Sequence, residues 1–308
     1  MKLSCKKLCF KNYFVSFFFI LALVFSMNSL AAEKLFPFYL ASQAKGDMPG
    51  IVAEIQGKLK EAQFEIVGQY SPYPQANIII ISNDELKSNA AATKFGGYGA
   101  AQRVSITEIN GEIQVAYTNP IYMSHGYHLK NNLAAVEAKL KNTLGFIKAY
   151  GPAEGMDGDD IEGYHYMFSM PYLDDDIELV DHADYAKAIA ALEKGLAEKK
   201  GGVSKVYRID LPGKKQSLVG VAMTKGMSSD ATIMKEIDFK AIRSTAHLPY
   251  EVLVDSDGKI YTLDARFRIA LNFSDLSMAG SNSFMGIMAS PDAIVEALRL
   301  AAGGQETF

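Results

Sequence analysis

The stretch VSITEINGEIQVAY, Val104 to Tyr117, alternates apolar and polar residues on both sides of Asn110-Gly111, and EVLVDSDGKIYTL, Glu251 to Leu263, does much the same around Asp257-Gly258. Alternation with period two marks strands that turn one face to a core, and Asn-Gly or Asp-Gly accepts the positive φ angles of a two-residue type I′ turn. Each stretch therefore reads as a β-hairpin closed by such a turn. The turns stand 147 residues apart, nearly half of the 308-residue chain. A hairpin written twice at that spacing predicts an α+β fold of two tandem homologous domains, each a small, mostly antiparallel sheet with helices packed on it.

The flanking sequence repeats one order of elements. Leu35 to Ser42 reads as an opening strand, and Asp47-Met48-Pro49 as the start of a helix carrying Val52, Ile55 and Leu59 on one stripe. Phe64 to Tyr70 and Asn77 to Ser82 read as strands joined by the turn Ser71-Pro72-Tyr73-Pro74. Ile78 to Ile81 is apolar on both parities, which predicts a central strand covered on both faces. A short helix from Asp84 and a plain glycine-bearing connection, Phe95 to Gly99, lead into the hairpin. Leu133, Val136, Leu140 and Leu144 then mark a helix capped by Gly145. Gly151 to Gly163, rich in Gly and Asp, reads as a linker between a first repeat (33–150) and a second (164–308). In the second, Tyr164 to Pro171 echoes the opening strand, and Ile189, Leu192 and Leu196 mark a helix. Val203 to Asp210 and Ser217 to Met223 are the next strands, and Asp230 to Ile237 a short helix before the hairpin. A last helix starts with Ser290 as cap, Pro291 in its first turn and Asp292 against its dipole.

The first residues carry an address. Lys2, Lys6, Lys7 and Lys11 precede an uncharged apolar run, Tyr13 to Met27, and Ser29-Leu30-Ala31 supplies small residues for cleavage. This is the layout of a secretory signal over residues 1–32, and an uncleaved anchor from Tyr13 to Ala32 is the competing reading. The expected location is periplasmic or secreted, with no stable membrane insertion after cleavage. Removing 32 residues leaves 276, and both cysteines, Cys5 and Cys9, leave with them. Thiolate metal sites and cysteine nucleophiles are then excluded. Four of the 31 basic residues leave too, so 27 face 35 acidic ones and the net charge becomes −8. That balance disfavours a nucleic-acid partner, which needs a basic footprint.

LVGVAMT (Leu218 to Thr224), a short helix and LPYEVLVDSDGKIYTLD (Leu248 to Asp264), matched by IIIISND (Ile78 to Asp84), AQRVSITEINGEIQVAYTNP (Ala101 to Pro120) and Met123, resemble the domain-of-unknown-function 302 family. The resemblance implies small α+β units, sometimes in tandem, and brings no established reaction. Many members place a Cys after Leu-Pro, where this chain has Tyr250, and the first copy offers Ala101-Gln102.

Candidate chemistry centres on Met123, His125 and His128, with His165 and Met167 in the second half. His and Met are natural ligands for copper or haem iron where no thiol is available. The bland reading is equally concrete, since Met fills core gaps and a lone His is often a hydrogen-bonded structural residue. Met278, Met285 and Met288 read as cover for an apolar surface, and the acids Asp157, Asp159, Asp160, Glu162 and Asp174 to Asp176 as solvated. No Gly-x-Ser-x-Gly elbow occurs after the signal, and no nucleophile, base and oxyanion site can be assembled. The expectation is an exported, soluble, non-enzymatic binding or accessory protein whose small ligand sits in the cleft between the repeats. Two alternatives are a periplasmic copper- or haem-binding protein, and an interaction module with an envelope protein partner using Tyr127, Phe284 and Met285.

Overall fold

The computed structural model describes residues 34–305, so the expected signal over 1–32 lies outside the described residues. The chain runs β1 (Phe38–Ala44), α1 (Met48–Glu61), β2 (Glu65–Tyr70), β3 (Ala76–Ser82), α2 (Asp84–Ala90), β4 (Gln102–Ile109), β5 (Glu112–Thr118), α3 (Pro120–Gly126), α4 (Ala134–Leu144), β6 (Lys148–Tyr150) and α5 (Gly158–Glu162). It continues through β7 (Ile177–Asp181), α6 (Tyr185–Ala197), β8 (Val203–Asp210), β9 (Ser217–Met223), α7 (Asp230–Ile237), β10 (Tyr250–Val254), β11 (Lys259–Thr262), α8 (Ala265–Asn272) and α9 (Ser290–Ala301). The fold is α+β with two antiparallel sheets, ordered β2-β3-β4-β5-β1-β6 and β7-β11-β10-β9-β8. Read from the other edge, the second sheet is β8-β9-β10-β11-β7, the same order by chain position as β2-β3-β4-β5-β1.

The isoleucine run explains how the first sheet is covered. β3 lies between β2 and β4, and all four residues from Ile78 to Ile81 are fully buried. Ile79 and Ile81 join Leu59 of α1 and Val136 and Leu140 of α4, while Ile78 and Ile80 join the larger core shared with the second sheet. Each buried Ile stabilises the fold by about 1.5–3 kcal/mol relative to exposure. The second sheet is covered by α6 and α9 through Leu192, Leu196, Ile294 and Leu298. Among the described residues no helix is long and apolar enough to cross a membrane.

Several local expectations are corrected. The first hairpin has the two-residue turn, with Asn110 at φ 53° and Gly111 at φ 79°. The second is closed by three residues: Asp255 N–H donates to the Lys259 carbonyl and Gly258 N–H to the Asp255 carbonyl. Only Gly258 takes positive φ there, so Asp257 acts as an ordinary turn residue and glycine supplies the bulge. No strand forms over Tyr164 to Pro171; β7 begins at Ile177, after a run of turns. The connection 151–163 is docked, with α5 burying Ile161 and Leu35 bridging to Met156. Ser290 is the first helical residue of α9 rather than its cap, and its hydroxyl is buried without a partner among the described residues. β6 and α8 were not anticipated. Tyr127, offered as exposed surface, is 2% exposed.

One glycine fixes a side-chain path across the second sheet. Tyr207 on β8 stands opposite Gly220 on β9, just past a bulge, and Gly220 pairs with Glu251 on β10. A Cβ on Gly220 would lie 1.9 Å from Tyr207 Cε1, so the ring lies where a side chain would be and its hydroxyl reaches Glu251. Gly220→Ala is expected to lower unfolding free energy by about 1–3 kcal/mol, as overpacking does. Urea denaturation checks it: the midpoint should fall at unchanged slope.

Candidate functional site

The face of β4 turned away from α1 and α4 carries a charge. Val104 and Ile106 pack into the helix-covered core, which places Arg103 on the opposite parity, towards the second sheet. There its Nη2 donates to Glu251 Oε1, and Tyr207 donates to the same oxygen at 3.0 Å. Arg268 of α8 brings Nη1 to 2.9 Å from Glu251 Oε2 as an ion pair without hydrogen-bond alignment. Arg268 Nη2 donates to the carbonyls of His247 and Pro249, both at 2.5 Å, and its guanidinium lies 4.7 Å from the Tyr250 ring centre. These ionic side chains are at most 3% exposed. Burial opposes the charge on Arg103, but Glu251, Tyr127 and Tyr207 together more than offset it, so its pKa is raised.

His247 sits against the same group. Burial, then Arg268 and Arg103, push its pKa well below the usual imidazole value, so the ring is neutral. Nδ1 accepts from Asn272 Nδ2 at 2.8 Å, which leaves Nε2–H to donate to the Tyr250 oxygen at 3.3 Å. Tyr250, at the head of β10, is thus held by a buried histidine. Nearby, Asp230 opens α7 and is 1% exposed. Its Oδ2 accepts from Met223 N–H at 3.2 Å and from the Tyr70 hydroxyl of β2 at 3.3 Å, and Oδ1 has no partner among the described residues. Burial raises its pKa to about 7.

A cleft opens beside this core, between the two halves of the chain. Its volume is about 430 Å³, within the range of small-molecule sites. Tyr73, Thr107 and Glu108 line it from the first half, and Ala231, Lys235, Asp238, Phe239 and Arg243 from the second. Asp238, just past the end of α7, is 5% exposed. Its Oδ1 accepts from Ser244 N–H at 2.7 Å and its Oδ2 from the Thr245 hydroxyl at 3.2 Å. Burial raises its pKa to about 6, against the opposing pull of Ser244 N–H and the Arg243 charge. A perturbed acid on the wall of a cleft at a junction is the combination expected of a binding site.

The sequence-derived ligand candidates fall elsewhere. α3 begins at Pro120 because Asn119 accepts from the N–H groups of Ile121 and Tyr122. His125 and His128 do converge, but on α5: His125 Nδ1 lies 2.8 Å from Glu162 Oε1, and His128 Nε2 2.7 Å from the Glu162 carbonyl. Met123 is buried in the core. His165 stacks on Tyr172 with ring centres 4.3 Å apart, and Met167 is exposed on the 164–173 segment. Among the described residues no group of three or more His, Cys, Asp or Glu is placed to hold a metal ion. The cleft residues were missed because Tyr73 reads as a turn residue, and Asp238 and Arg243 read as loop charges. Arg103 and Glu251 alternate with apolar neighbours as solvent-facing residues would, so no pattern announces that a second sheet covers them.

Glu251→Gln keeps the shape and removes the charge, leaving Arg103 and Arg268 buried without a counter-ion. It should cost about 3–5 kcal/mol in denaturant unfolding. Asp230 and Asp238 act in the opposite sense. Between the ordinary carboxylate range near 4 and about 6 to 7, the folded state holds protons that the unfolded chain has released. Their contribution to stability is therefore full at low pH and is lost as pH rises through that window. Asp230→Asn should make the protein more stable near pH 8 by about 2–4 kcal/mol and flatten the pH profile. Urea midpoints measured across that range check the sign.

Comparison with family models finds no match, and no curated protein matches. Among solved structures the chain is similar to an uncharacterized conserved protein DUF302 from Bacillus stearothermophilus, at 16% identity and a TM-score of 0.32. The match covers 35% of this chain and 94% of that one.

Proposed function

We propose that this chain is an exported, non-enzymatic binding protein, built by duplication of one α+β unit, that holds a small ligand in the cleft between its halves. The observation that carries the reading is the cleft itself: about 430 Å³, walled by both halves, with a buried acid and charges of both signs on its lining. The matching strand orders of the two sheets support duplication. Asp238 engages its oxygens with Ser244 N–H and the Thr245 hydroxyl, an arrangement that orients wall groups rather than taking a proton from a substrate. Export rests on the basic, apolar and small-residue order of residues 1–32.

A thermal-shift screen of the mature protein against a metabolite library tests this, with Ala231→Trp as the blocked control. Ala231 is half-buried in the first turn of α7 and lines the cleft, so an indole there fills it. At about a hundredfold excess over Kd, a bound compound adds about 2.7 kcal/mol of stability. Compounds that stabilise the parent protein and not Ala231→Trp are expected. Hits that stabilise both equally, no hits, or chemical conversion of a hit would overturn the reading.

A further inference from the structure

If the cleft is the ligand site, as proposed above, its wall fixes the chemistry of what it takes. Thr245 lies behind that wall, fully buried, with one hydroxyl proton and two lone pairs. Three groups meet its oxygen: Asp238 Oδ2 at 3.2 Å, Thr107 Oγ1 at 3.0 Å and the Tyr73 hydroxyl at 3.1 Å. An ionised Asp238 only accepts, so the Thr245 proton goes to it. Thr107 and Tyr73 must then both donate to Thr245. Their protons point inward, and both residues line the cleft, Thr107 at 3% exposure, so what their oxygens have left to offer a ligand is lone pairs. This wall is a row of acceptors.

The remaining lining completes the selection. Glu108 and Asp238 are balanced by Lys235 and Arg243, so the cleft has no net charge with which to select an ion. Lys235 and Arg243 supply donors, while Phe239, 43% exposed, and Tyr73 supply aromatic surface. We propose that the cleft takes an uncharged polyhydroxylated ligand, a saccharide or similar polyol. Its hydroxyls donate to Thr107 and Tyr73 and accept from Lys235 and Arg243, and a C–H face rests on Phe239. Such a ligand can meet acceptors and donors at once, which neither an anion nor an amine does.

The same chain of hydroxyls makes binding depend on pH. A protonated Asp238 donates to Thr245, whose own proton must then turn towards Thr107 or Tyr73. One of those hydroxyls turns its proton into the cleft, and the wall loses an acceptor. The charged and titratable groups around Asp238 are Arg243 from the following loop, Lys235 of α7 and Glu108 of β4 on the same cleft, Tyr73 from the β2–β3 turn, and Tyr150 from β6, whose hydroxyl donates to the Arg243 carbonyl. Both tyrosines are raised above their usual value, chiefly by burial, so Asp238 is the group that changes near pH 6.

Calorimetric titration of the mature protein with neutral mono- and disaccharides, alkylamines and dicarboxylates, near pH 8 and near pH 5, tests the proposal. At least one saccharide should bind near pH 8 and about tenfold more weakly near pH 5, the effect of one mismatched buried hydrogen bond. Asp238→Asn should remove that pH dependence. Phe239→Ala, at a position 43% exposed, should weaken saccharide binding about tenfold through the lost apolar contact. Saccharide binding that ignores pH, or cleft binding confined to the amines or dicarboxylates and blocked by Ala231→Trp, overturns the proposal while leaving the cleft as the binding site. No compound blocked by Ala231→Trp overturns both.

Discussion

A single carboxylate, Glu251, holds two guanidinium groups between the sheets, and the arrangement of the halves follows from satisfying it. Arg103 comes from β4, Arg268 from α8, and Tyr207 reaches across from β8, so three elements besides β10 converge on two oxygen atoms. A buried ion group of this kind contributes little net stability over an apolar replacement, because desolvation offsets the attraction. Its effect is on geometry. If β4 slid by one residue against the second sheet, Val104 would replace Arg103, and a bare carboxylate would face an isopropyl group while a guanidinium entered the isoleucine core.

That constraint propagates outwards. With Arg103 pinned, the inner parity of β3 and β4 must face the second sheet, so Ile78 and Ile80 join its core while Ile79 and Ile81 stay under α1 and α4. With Glu251 pinned, Tyr207 must cross Gly220, which has no side chain to obstruct it. Arg268 ties the His247–Pro249 carbonyls to α8 and so fixes the approach to β10. Thr245, two residues before His247, is thereby set against Thr107 of β4. The cleft wall is an outcome of the same contacts that align the sheets.

Much of this was legible in the sequence, for reasons that can be stated residue by residue. β8, β9 and α7 fall at the expected residues because their apolar periodicity is strong and local. The isoleucine run announces two-sided burial because neither parity is polar. The second turn misled because Asp-Gly serves both a two-residue turn and a three-residue turn with a glycine bulge, and the choice lies in where Asp255 and Lys259 pair. Tyr164 to Pro171 misled because its aromatic and Met residues imitate a strand, yet they serve turns whose Tyr164 and Tyr166 hydroxyls donate to the carbonyls of Ala270 and Leu276. The two halves meet through charges and hydroxyls separated by well over a hundred residues, and nothing in a local pattern encodes which distant partner a lone Arg or Thr will find.

The helix α7 shows how core and cleft are joined. Asp230 at its start and Asp238 just past its end are both buried acids, both held above the carboxylate range by desolvation, and each reaches the first half of the chain through a hydroxyl. The helix dipole treats them differently. A negative charge at the N-terminus is favoured, whereas one beyond the C-terminus meets the carbonyl end and is opposed. Burial outweighs the partners of both: Ser244 N–H, Arg243 and Thr245 act on Asp238, and Met223 N–H, Tyr70 and Arg268 on Asp230, which keeps one oxygen without a partner among the described residues. The acid that borders the cleft is thus the better-solvated of the two by protein groups, and it is the one whose charge sets the direction of the hydroxyls on the wall. Hydrogen bonding through Thr245 to Thr107, not helix position, is what joins the C-terminal end of α7 to the cleft.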